Sequence, residues 1–164
     1  MFGAWKAICD EEGASLIELA FVMFFLFPPM LLGIVDVGFI EYASVENASA
    51  ARAGAAYAAQ YYIQSQSPGP PTLPTVANVT TAVTNDSPEL QNMQETGTNF
   101  IVTMSTGCNG GAATTGNTVP VCSPTTVLPF VTVTTQSTVM PLIKFKGLIG
   151  PFTINNSATI NLVN

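Results

Sequence analysis

The side chain with the greatest chemical weight in this 164-residue chain is Glu18, the only charge in an apolar run of 20 residues from Leu16 to Val35. A carboxylate at the centre of a membrane helix costs roughly 2.5–3.5 kcal/mol on insertion scales, and less near an end. A charge kept there is read as functional. Gly13 stands five residues before it, so Gly13-Ala14-Ser15-Leu16-Ile17-Glu18 forms a Gly-x-x-x-x-Glu junction at the front of the run. Three cysteines are the other reactive groups. Cys9 precedes the apolar run, whereas Cys108 and Cys122 lie far downstream, 14 positions apart, in a Gly/Asn/Thr-rich stretch. A bridge between the latter two would close a loop of about 15 residues, contribute roughly 3 kcal/mol in the chain-entropy model, and form only in an oxidising compartment. The other reading is a pair of free thiols.

The rest of the inventory excludes more than it offers. Histidine is absent, which removes the commonest general base and transition-metal ligand. Two cysteines without histidine do not make a zinc site. Asp86, Glu89 and Glu95 are spread along one stretch and read as solvated charge. There is no Gly-x-Ser-x-Gly and no phosphate-binding loop, so no enzyme, cofactor or small-molecule substrate is expected. Four Lys and Arg against ten Asp and Glu leave no basic patch for nucleic acid. The Asn-x-Ser/Thr triplets at Asn47, Asn78 and Asn155 arise readily by chance in such a composition.

These residues need elements to hold them. A mean hydropathy of +0.40 with 9% charged residues is unusual for a freely soluble chain. At 1.5 Å per residue, 20 apolar residues reach about 30 Å, the thickness of a bilayer core. The small residues lie ahead of the run, which does not fit ordinary signal-peptidase cleavage behind it. Pro28 and Pro29 interrupt the span and predict a kink, because each lacks an N–H and clashes with the preceding turn. The helix is expected to continue from Asp36 to Tyr62, with small residues at Ala43, Asn47, Ala51, Ala55 and Ala59 along one side. Residues 65–74, with four prolines and a glycine, read as a linker. Thr75–Thr84 places Val76, Val79 and Val83 on one face of a short helix, and Glu89–Glu95 forms a further turn. Phe100–Ser105, Phe130–Met140 and Phe152–Val163 read as strands, the last bent at Asn155-Asn156, with Lys144–Gly150 a connection. The fold class is therefore α+β: a long N-terminal transmembrane helix, a short second helix, and a small antiparallel head of about three strands. The expected organisation is residues 1–13 ahead of the helix, 14–63 the helix with its membrane part at about 16–35, 64–74 the linker and 75–164 the head.

Two stretches together carry a family likeness: EEGASLIELAFVMFFLFPPMLLGIVDVGFIEY and SAARAGAAYAA. The Glu-Leu-Ala after the junction, prolines in the apolar run, Gly33 and Gly38 near its end, and then Ala-Arg-Ala-Gly resemble the TadE-like and TadG-like pseudopilins, or minor pilins, of bacterial tight-adherence (Flp) systems. The likeness spans about residues 11–60. It implies a leader of residues 1–13 cut between Gly13 and Ala14 by a membrane-embedded prepilin peptidase. It implies a single pass through the bacterial inner membrane, N-terminus cytoplasmic and head outside. The implied partners are the membrane, the peptidase, other pilins or pseudopilins and the Tad secretion machinery. Glu18 matches the family's glutamate, which in related pilins attracts the new N-terminal amine of a neighbouring subunit. Two features depart from the pattern. The leader carries Asp10, Glu11 and Glu12 against a single Lys6, and the mature length, 164 − 13 = 151 residues, exceeds that of a typical major Flp pilin. The length favours a minor component. The competing readings are a membrane-anchored binding module outside the cytoplasm and a major filament subunit.

Overall fold

In the computed structural model, residues 11–67, 69–93, 100–123, 128–141 and 150–163 are described. Residues 1–10, with Lys6 and Cys9, lie outside them, as do Glu95 and the connection 144–149. The chain divides into two compact units, Met1–Phe39 and Ile40–Asn164.

The first unit is helical. Helix α1 runs over Glu11–Phe25 and α2 over Phe27–Ser65, its early turns falling in this unit. Gly13 and Ala14 thus lie inside α1. Every side chain from Leu16 to Val35 is exposed. The single residue between the helices is Leu26. Its N–H bonds the Val22 carbonyl at 2.9 Å and its carbonyl accepts from Met30 at 3.3 Å, so the chain keeps a helical path through the break. The interruption precedes Pro28 and Pro29 for a steric reason: a proline disturbs the turn before it, and the carbonyls of Phe24 and Phe25 have no N–H four residues on.

The second unit is built on the remainder of α2. Ala43, Asn47, Ala50, Ala51, Ala55 and Ala58 are at most 1% exposed, and Tyr62 follows on the same side. Steps of three and four keep these residues on one face. That face and helix α3 (Val76–Asp86) cover one side of a four-stranded antiparallel sheet of order β2-β1-β3-β4. The strands are β1 (Ile101–Cys108), β2 (Thr114–Thr115), β3 (Pro129–Val139) and β4 (Phe152–Asn161). The core joins Ala50, Ala55, Ala58 and Tyr62 of α2 to Val79 and Val83 of α3, Val102 and Met104 of β1, and Val131 and Val133 of β3. Leu90 of the short helix α4 (Pro88–Met93) belongs to the same cluster. Thr75 caps α3 by accepting from the Asn78 N–H.

The α+β class and its antiparallel head are as expected, with three differences. To the about three strands expected the sheet adds β2, which is two residues long and too short to show periodicity. Strand β4 does not bend at Asn155-Asn156, since it pairs with β3 at every position from Phe152↔Val139 to Asn161↔Phe130. Val76 is 37% exposed, because at the first position of α3 it lies before the face that Val79 and Val83 bury.

Candidate functional site

The structure separates the sequence-derived site residues into two groups. Gly13, Ala14, Glu18, Pro28 and Pro29 belong to the apolar helical unit, and Cys108 and Cys122 to the sheet unit.

Glu18 lies in α1 and is exposed, as are Leu16, Ile17, Leu19, Phe21 and Val22 around it. No partner for its carboxylate is found among the described residues. A lone carboxylate on an apolar helical surface has two inexpensive environments, water or a cation brought by another molecule. Phe21 stacks on Phe25 with ring centroids 5.5 Å apart, and Phe24 meets Phe25 edge-on at 5.4 Å. Together with Ile17 and Ala20 they line a shallow apolar groove on the helix. By length and composition the helical stretch Leu16–Ser65, which runs from α1 into α2, is the one among the described residues able to cross a membrane.

The cysteines end a folded-back loop. Cys108 closes β1, and a disulfide joins it to Cys122 with Cα atoms 5.6 Å apart. Between them the Gly111 N–H donates to the Cys108 carbonyl at 2.8 Å, closing a turn. Gly110 occupies its third position at φ +86°, a conformation that suits glycine. Strand β2 then returns along β1, pairing Thr114 with Thr106 and Thr115 with Ser105. The Thr106 hydroxyl donates to the Thr118 carbonyl at 2.9 Å, and the Gly116 N–H to the Met104 carbonyl at 3.0 Å. The bridge thus closes a loop already hydrogen-bonded to the strand that carries one of its cysteines.

A third set of residues, with no role assigned from sequence, ties α2 to the sheet. The Asn47 amide donates to the carbonyls of Thr135 and Ile154 at 3.3 and 3.2 Å, and the Thr135 hydroxyl donates back to the Asn47 carbonyl at 3.0 Å. One side-chain amide therefore spans helix, β3 and β4. Asn156 adds a bond to the Ser44 carbonyl at 3.3 Å. Asn47 is fully buried, which removes its triplet as a surface acceptor. The sequence signal was present in part, since Asn47 falls in the stripe of small residues. Its partners, 88 and 107 positions away, carry no local mark. Gly54 is the second such residue. A Cβ built there would stand 2.7 Å from Val83 Cγ2 and 3.0 Å from Val133 Cγ1, so α2, α3 and β3 converge on a position without room for a side chain. Earlier in α2, the exposed Tyr42 phenol is pushed above its ordinary pKa, first by the Glu46 charge and then by slight desolvation and Glu89. It stays a neutral donor to Glu46.

No group of three or more potential metal ligands occurs among the described residues. Neither the curated proteins nor the solved structures compared with the chain gave a match. Residues 13–56, from the junction glycine through Glu18 and the two prolines to the Ala-Arg-Ala-Gly that ends at Gly54, match the family model described as TadE-like protein, so this segment is similar to that family.

Proposed function

We propose that the chain is a pseudopilin or minor pilin of a Tad-type pilus system, inserted once in the bacterial inner membrane with its sheet unit outside the cytoplasm. The observation that carries this reading is Glu18, exposed and without a partner among the described residues on an otherwise apolar helical surface inside the TadE-like segment. Such a carboxylate suits two successive tasks. In the membrane it marks the junction that a prepilin peptidase reads, and cleavage after Gly13 creates a new amine at Ala14. In an assembly the same carboxylate receives the amine of a neighbouring subunit in a low-dielectric setting, where a charge pair attracts more strongly than in water. The apolar surface that faced lipid then packs against other helices. The oxidised Cys108–Cys122 pair supports a head outside the cytoplasm. The TadE-like segment favours a structural role over an enzymatic one.

The test is the N-terminus of protein isolated from a host with an active prepilin peptidase. Intact mass and terminal sequencing are expected to show a chain that begins at Ala14. A chain that keeps residues 1–13 in such a host would make the helix a permanent anchor, and the head a tethered binding module.

A further inference from the structure

Among the described residues, strand β4 is an unguarded edge. It is last in the sheet order, and among the described residues no strand pairs with its far side. Folded proteins blunt such edges with short strands, charges, prolines or bulges, because a row of free N–H and C=O groups templates pairing with another chain. Strand β4 has none of these devices. It is ten residues long, pairs with β3 without a bulge, and carries no charged residue or proline from Phe152 to Val163. The opposite edge is the two-residue β2.

The residues of β4 also match themselves when the strand is reversed. Pairing two copies antiparallel about Ser157 sets Ile154 against Ile160, Asn156 against Ala158 and Phe152 against Leu162 on the core side. On the other side it sets Asn155 against Thr159 and Thr153 against Asn161. Apolar side chains thus meet mainly apolar ones, and polar meet polar. Moving the centre to Asn156 would bring Pro151 opposite Asn161, inside the strand, where proline has no N–H to give, whereas the Ser157 register sets it against Val163, beyond the strand's end. The core-side residues Ile154, Ala158 and Ile160 are only half-buried, and Phe152 is 40% exposed, so the edge has apolar area left to cover. A self-complementary patch is the requirement of a two-fold interface.

We infer that β4 is a homodimerisation edge: a second copy of this chain adds its own β4 antiparallel, with Ser157 on the two-fold axis, to make one continuous sheet. The inference does not depend on the pilus reading, because it concerns the sheet unit alone.

The experiment uses the full chain carrying Cys9→Ser, in detergent micelles and in native membranes. Directly opposed residues in an antiparallel pair have Cβ atoms about 4.5–5.5 Å apart, close to disulfide reach. Under mild oxidation Ser157→Cys is expected to give a covalent dimer. Thr153→Cys and Asn161→Cys are each expected to stay monomeric alone and to crosslink when mixed. In sedimentation the parent protein is expected to dimerise, and Ser157→Lys, which puts two like charges on the axis, to weaken the dimer at least tenfold. Should a lysine variant fail to fold, Asn155→Lys replaces it, and the cysteine pattern decides independently. A monomeric parent protein, Ser157→Cys that links no better than Thr153→Cys alone, or crosslinks only to a different protein would each overturn the inference.

Discussion

Asn47 shows how much can rest on one amide. Its two donated bonds satisfy carbonyls of β3 and β4 from the face of α2. Asn47→Ala removes both bonds to carbonyls of the paired strands β3 and β4, which costs roughly 0.5–1.5 kcal/mol each. Asn47→Asp is expected to be worse, and its deficit to depend on pH. A carboxylate facing two carbonyls is tolerated only when protonated, so its folded pKa rises above the unfolded value of about 3.9. The native state then binds the proton more tightly, and stability falls as pH increases through the carboxylate range towards neutrality. Denaturant unfolding at acid and neutral pH checks this. The deficit of Asn47→Asp relative to the parent should be larger at pH 7 than at pH 4, whereas that of Asn47→Ala should stay level. The disulfide is expected to be as local in its effect. Alkylation of protein isolated from its native host without reductant should label neither Cys108 nor Cys122, and the double serine variant should lose roughly 3 kcal/mol, read as a lower denaturant midpoint.

At the scale of elements, the α2–α3–β3 junction depends on the missing side chain of Gly54. Glycine in a helix interior ordinarily costs up to about 1 kcal/mol against alanine, so its presence here needs the packing reason that Val79, Val83 and Val133 supply. Gly54→Val is expected to overpack the junction and destabilise the sheet unit by roughly 1–3 kcal/mol, measurable as a lower thermal midpoint with secondary structure retained. Elements with a strong local pattern were legible in the sequence. The apolar run shows in its hydropathy, the linker in its prolines, and β3 in its strict alternation. Strand β2 was not, because two residues have no period and its pairing depends on a turn at Gly110. The straight course of β4 was also hidden. Asn155-Asn156 looks like a turn pair in isolation, and only its neighbour β3, supplying a partner at each position, holds the strand extended. The stripe of small residues on α2 was visible, but which of its members would carry a hydrogen bond was set by strands more than 80 positions away.

For the molecule as a whole, the open question of role concentrates on Glu18. Replacing it with alanine removes the only charge of the apolar run, so insertion should be kept or improved. The helix should persist as well, since alanine is the better helix former. Assembly is expected to suffer, because a neighbour's amine would be buried without a partner, at a cost typical of a broken buried pair, about 3–5 kcal/mol. Membrane fractionation, processing and surface pili of the two proteins in the native host distinguish these effects. Normal piliation by the alanine variant would leave Glu18 as a processing signal at most.

The break at Leu26 has a mechanical consequence. The carbonyls of Phe24 and Phe25 lack their helical donors, so this turn has fewer bonds to lose than any intact turn of either helix. Under tension between the apolar segment and the sheet unit, it is the turn that yields first. A helical residue advances about 1.5 Å and an extended one about 3.4 Å, so paying out residues 24–29 lengthens the chain by about 11 Å. The two prolines thus make this turn the point in the apolar helix where extension under load is expected to begin.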